Sequence, residues 1–261
     1  MISMAEDRIG RYLKIEELLA ISSAVYNPLH SITISCESDI ENAAEKLRSK
    51  WDLGSIPIFS VFEMLESVGV KLIEFDAGVS HVIGFSTLVN QKIPLIVINL
   101  SANGTTERKR FTALHELGHL FLNFSSDIDK STKERLCNLF AGAVLCPASV
   151  LRRELGLVRS TLTLNELVSL KNRYGISVSA TVHRAKDLGI ISETYYNEIY
   201  DNHIHQNIME IGWGGYPILE STDRFERLVQ RAIAEQLISP KEISELTHEK
   251  SEKYLLDVIM L

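Results

Sequence analysis

Five residues, His115-Glu116-Leu117-Gly118-His119, constrain this chain more than any other stretch. They lie inside RFTALHELGHLFLNF, where Ala113, Leu114, Leu117, Leu120, Phe121 and Leu122 make the run largely apolar. That pattern predicts a core helix over 106–123. Positions four apart on a helix sit about 40° from one another around the axis, at ~3.6 residues per turn. His115 and His119 therefore share a face and offer two imidazoles to one ion. Glu116 is turned about 100° from His115. Its carboxylate then lies beside such an ion, where it can take a proton from water. This is the H-E-x-x-H arrangement of zinc peptidases. Hydrolytic zinc needs a third protein ligand and an open fourth position. The plain alternative is two core histidines flanking an exposed glutamate, which buries polar groups at a cost. Gly118 costs about 1 kcal/mol in a helix interior, so it marks a place where another backbone or a substrate comes close.

The third ligand is sought in the next periodic run, KERLCNLFAGAVLCP. Leu136, Leu139, Phe140, Ala143 and Val144 have helical spacing, and Pro147 is a natural stop, which predicts a helix over 132–146. Glu134 and Asn138, four apart, share a face. A carboxylate from a second, antiparallel helix can complete a two-His, one-Glu site. Asn138, a turn later, can hold the outer atoms of a ligand. Spacing alone leaves an alternative open, in which Glu134 is a first-turn carboxylate favoured by the helix dipole. Asp127 and Asp129 are rival carboxylates in the polar SSDIDKST loop. Cys137 and Cys146 are the other conceivable ligands, but both read better as buried small hydrophobes.

These two runs, RFTALHELGHLFLNF and ERLCNLFAGAVLCP, resemble the ImmA/IrrE family of bacterial and phage metallopeptidases. The family pairs an R-F-T-x-x-H-E-L-G-H helix with a helix reading E-x-x-x-N-x-F-A that ends near a proline. The resemblance extends upstream through AAEKLRSKWDLGSIPIFSVFEMLESVGVKLIEF and PLIVINL, and weakly downstream through RYGISVSATVHRAKDLGII and DRFERLVQRAIAEQLIS. It implies zinc at His115, His119 and Glu134, with Glu116 as general base. It also implies that the substrate is a partner DNA-binding repressor, cleaved to switch genes on. Many relatives carry an N-terminal helix-turn-helix domain; the ~40 residues ahead of the resemblance are too few for one. The expectation is therefore a stand-alone peptidase whose repressor is a separate protein.

Composition narrows the classes. Net charge is −7, from 27 Lys+Arg against 34 Asp+Glu, which disfavours direct nucleic-acid binding through phosphates. Three cysteines at no regular spacing argue against a disulfide framework and fit a reducing cytoplasm. No secretion signal is visible, and no apolar run approaches the ~18 residues of a membrane helix. Serine-nucleophile motifs and glycine-rich phosphate loops are absent.

The remaining pattern suggests an α+β protein. Helices are expected over 7–25, from Ser38 through Trp51, and over 59–68. Residues 26–38 read as a loop with a short extended piece. Three Val- and Ile-rich runs at 70–75, 81–88 and 93–100 suggest a small antiparallel sheet. Packed on the H-E-x-x-H helix and the second ligand helix in zincin-like fashion, such a sheet can take an extended peptide on its edge. Residues 162–174 and 178–188 resemble a helix-turn-helix but read better as a packing pair; 203–217 is irregular, and 224–234 and 240–246 are helical. His203 and His205 read as surface groups of that irregular stretch. The expected organisation is an N-terminal helical extension (1–38), a zinc metallopeptidase domain (39–158) and an all-helical C-terminal region (159–261). His81, Tyr174 and Arg110 are the conceivable donors to the oxyanion of peptide hydrolysis, but none has a spacing argument: His81 also reads as a strand-end surface residue, and Arg110 can equally pair with a carboxylate at the helix start. The functional expectation is a cytoplasmic Zn2+-dependent endopeptidase acting on a helix-turn-helix repressor encoded nearby. The competing reading is a metal-binding module that sequesters such a regulator without cutting it. The donor set also suits manganese.

Overall fold

The computed structural model describes residues 2–76, 78, 82–249 and 251–255. The chain folds as a mixed α+β protein. Helix α1 (Ile2–Leu18) stops before the 25 expected, where Ala20 turns left-handed at φ 53°. Helix α2 (Glu37–Lys50) starts one residue ahead of Ser38, because the Asp39 carboxylate accepts from the N–H groups of Ser35 and Cys36 and caps it there. After α3 (Val61–Ser67) come strands β2 (Lys71–Phe75), β3 (Gly84–Val89) and β4 (Ile93–Asn99). The short extended piece, β1 (Thr33–Ile34), pairs in parallel with β5 (Asn123–Phe124).

The sheet is not wholly antiparallel as expected. Its order is β2-β4-β3, with β3 antiparallel and β2 parallel to β4. The tight turn through Asn90 and Gln91, both left-handed, sends β4 straight back along β3. Strand β2 lies on the opposite side of β4 from β3 and runs the same way as β4. Both faces of β4 are covered, which is why IPLIVIN reads as a continuous apolar run.

Those faces belong to different cores. Leu72, Ile96 and Ile98 face a core built with α4 (Thr106–Phe121) and α5 (Lys130–Leu145). Ile73, Leu95 and Val97 face a second core that joins Ile9, Tyr12 and Ile15 of α1 to Val229 and Ala232 of α10 (Arg224–Ala234) and Ile243 of α11 (Pro240–Thr247). Residues from both ends of the chain thus share one layer.

Helices α6 (Ala148–Leu155), α7 (Leu164–Tyr174) and α8 (Val178–Asp187) extend the first core. The α7–α8 pair packs as a core unit: Leu167, Leu170, Val178 and Val182 are buried, and Arg184 of α8 forms an ion pair with Glu41 of α2. Helix α9 (Glu193–Ile199) had no sequence signal, because it buries no residue fully and so shows no clean apolar stripe. A short α12 (Glu252–Leu255) follows α11. Among the described residues no single helix is long and apolar enough to cross a membrane. The bent pair α5–α6 is apolar enough only when taken together, and its apolar residues line the core.

Candidate metal centre

Helix α4 begins at Thr105, whose hydroxyl accepts from the Arg108 N–H, and lies against α5. Gly118 lies at a close approach of the two helices. A Cβ built on it would stand 3.2–3.4 Å from the Sγ, Cβ and Cα of Cys137. The glycine therefore serves a backbone approach, and the partner is α5 rather than a substrate. That contact brings Glu134 opposite the two histidines. His115 Nε2 and His119 Nε2 lie 3.0 Å apart, and Glu134 Oε2 lies 3.3 Å from the first and 3.4 Å from the second. Among the described residues this is the one group of three such side chains able to hold an ion.

The triangle has the dimensions of a coordination face. A tetrahedral ion with bonds of about 2.0–2.1 Å holds its ligands roughly 3.3 Å apart. His115 Nδ1 lies 2.8 Å from Asn138 Oδ1. An amide oxygen only accepts, so Nδ1 carries the proton and Nε2 keeps its lone pair for a metal. Side-chain exposure rises from 16% at His115 to 29% at His119 and 47% at Glu134, so the triangle opens to solvent on the Glu134 side. Two nitrogens and one carboxylate oxygen suit zinc with one position left open.

Glu134 sits in the second turn of α5, with no acidic residue in the first, so the dipole-capping alternative does not describe it. Asp129 is the N-cap of α5, accepting from the Thr132 N–H, and Asp127 accepts from the Ser125 hydroxyl; neither joins the triangle. Burial pushes the Cys137 thiol up to about 12, helped by the Glu134 and Glu116 charges, and the Cys146 thiol up to about 11. Both stay protonated and serve as packing groups. Exposed His205 stacks against Tyr200, and neither it nor His203 belongs to the group.

Glu116 lies beside the triangle, 8% exposed, with its Oε2 accepting from the Ser86 hydroxyl at 2.7 Å. Sequence reasoning missed Ser86, because nothing in its spacing ties a strand residue to a helix thirty positions on. Of the two readings open for Arg110, the structure shows the pairing with a carboxylate. That guanidinium is fully buried, pairs with Glu220 at 2.5 Å and donates to the carbonyls of Ile58, Phe59 and Gly175. It holds three segments together and faces no open site. Tyr174 is 1% exposed and its hydroxyl accepts from Arg153. His81 lies outside the described residues. Glu220 and Glu210, both unremarked in the sequence, cap distant helices. Glu220 accepts from the N–H groups of Val61 and Phe62, and Glu210 from those of Val178 and Ser179.

A helix bearing H-E-x-x-H whose imidazoles meet a carboxylate from a neighbouring helix has the donor arrangement of a metallopeptidase site. Residues 65–186, which hold β2 to α8, match the peptidase family described as the IrrE N-terminal-like domain, in agreement with the ImmA/IrrE resemblance. The match is narrower than the resemblance read from sequence, which reached from about residue 40 to α10. A search of curated proteins finds no match for the chain.

Proposed function

We propose that this protein is a zinc-dependent endopeptidase that cleaves a partner DNA-binding repressor in the cytoplasm and so relieves repression of its genes. The single observation behind this reading is the triangle of His115, His119 and Glu134 with Glu116 at its side. Zinc held there would supply a Lewis acid that polarises the scissile carbonyl and acidifies water. Glu116 takes the proton of the attacking water as its oxygen bonds to the carbonyl carbon. It then passes that proton to the amine as the C–N bond breaks. Asn138 fixes the His115 tautomer through Nδ1. The sheet, packed on α4 in zincin-like fashion, aligns an extended peptide along its edge. The repressor as substrate is inferred from the family resemblance.

The test incubates zinc-loaded wild type, Glu116→Gln and Glu134→Ala with the helix-turn-helix repressor encoded nearby, and weighs the products by mass spectrometry. Wild type is expected to make one defined cut. Glu116→Gln should keep zinc and fold but lose about 10²–10⁴-fold in rate, the usual share of general-base catalysis. Glu134→Ala should lose the metal. A stable complex with no cut by wild type would replace the peptidase with the sequestering module.

A further inference from the structure

Ser86, on strand β3, donates a hydrogen bond to Oε2 of the proposed base Glu116 at 2.7 Å. The contact follows from how β3 and α4 run together. At Gly84 an added Cβ would stand 2.9 Å from the Val97 carbonyl and 3.0 Å from Thr112 Cγ2, so only glycine lets the strand lie this close to the helix. Two strand residues advance about 6.6 Å and four helix residues about 6 Å, so the two elements stay in step. Gly84 therefore meets Thr112, and Ser86, on the same face two residues on, meets Glu116 one helical turn on.

The main chain of Ser86 has a separate role available. The Asn99 N–H donates to the Ile83 carbonyl, so Ile83 faces Asn99 in a hydrogen-bonded pair. In an antiparallel ladder such pairs alternate. Phe85, Thr87 and Val89 then bond to β4, while Gly84, Ser86 and Leu88 direct their N–H and C=O groups to the other side. Among the described residues that side pairs with no strand.

We infer that Ser86 is a positioning residue joining substrate docking to the base: its hydroxyl holds the Glu116 carboxylate in its working orientation while its outward main chain receives the substrate strand. This rests on the metallopeptidase reading above. With Oε2 held, Oε1 is left to accept a proton. Without the hydroxyl the carboxylate is free to turn about its side-chain torsions, and a peptide bound to the same residue no longer finds the base in place.

The test loads the full-length protein with cobalt(II) and titrates acetohydroxamate, following the visible spectrum. A hydroxamate chelating the metal presents its hydroxyl to the neighbouring carboxylate and so reads that carboxylate's position. Ser86→Ala is expected to bind cobalt and unfold like wild type but to bind acetohydroxamate about tenfold more weakly, the scale of one charge-assisted hydrogen bond. Glu116→Gln should be weakened at least as much. Ser86→Thr, which keeps the hydroxyl and suits a strand, should restore wild-type affinity. Wild-type acetohydroxamate affinity in Ser86→Ala would overturn the inference. So would a loss in Ser86→Ala matched by an equal loss of cobalt or thermal stability, which is a purely structural role. Failure of wild type to take up cobalt would instead remove the metal-centre reading itself.

Discussion

Glu66, near the end of α3, provides the sharpest quantitative test of the fold. It is 1% exposed, and neither carboxyl oxygen has a hydrogen-bond partner of good geometry among the described residues. Burial is the main cause that pushes this carboxyl up to about 7 from 4.5; Asp223 adds to the rise, and Arg224 and Arg227 offset only part of it. Below pH 4.5 the group is protonated in folded and unfolded chains alike and costs nothing. Between 4.5 and 7 the folded protein keeps a proton that the unfolded chain has lost, so stability falls as pH rises. Above 7 the full penalty applies. At ~1.4 kcal/mol per pH unit, the gap from 4.5 to about 7 amounts to about 3 kcal/mol. Glu66→Gln keeps the shape and removes the titration. Its stability advantage over wild type should widen by about 2–3 kcal/mol between pH 5 and pH 8. In a chain of this size that is roughly 4–10 °C in the thermal midpoint. Urea unfolding followed by circular dichroism at pH 5, 6, 7 and 8 measures it. An advantage that stays constant across the series would refute the reasoning, because the buried carboxyl would then titrate alike in both states.

Two further predictions concern the site. Asn138→Leu removes the acceptor that fixes the His115 tautomer, so zinc affinity should fall about 10–100-fold in a chelator competition; unchanged affinity would refute that role. Leu88→Pro removes an N–H that faces away from β4, whereas Thr87→Pro removes one that faces it. The first should leave the thermal midpoint near wild type yet abolish cleavage of the repressor, and the second should cost about 1–3 kcal/mol of stability. Full cleavage by a folded Leu88→Pro protein would exclude strand addition on this edge.

Much of the site was legible because the relevant contacts are local. His115, Glu116 and His119 fall within five residues of one helix, and helical pitch alone sets their relative directions. Asp39 and Asp129 act within one turn of their own helix starts. Short-range periodicity also located both ligand helices, the three strands and the helices over 224–234 and 240–246 within a few residues. It failed for α9, whose side chains are never fully buried, and for the sheet order, which depends on which strands pair and not on the composition of any one strand.

The sequence by itself therefore determined that two imidazoles and a carboxylate share one helix, and that a second helix carries Glu134 and Asn138 on one face. Only the tertiary structure decided that Glu134 meets the imidazoles while Asp127 and Asp129 do not, because that choice depends on Gly118 letting α5 settle against α4. Only it brought Ser86 to Glu116, through a glycine that lets the edge strand lie on the helix. It also turned Arg110 from a candidate donor into a buried tie to Glu220, 110 residues away. Helical pitch can be read from neighbouring residues, but the distance between two elements is fixed by the side chains that pack between them, and those come from anywhere in the chain.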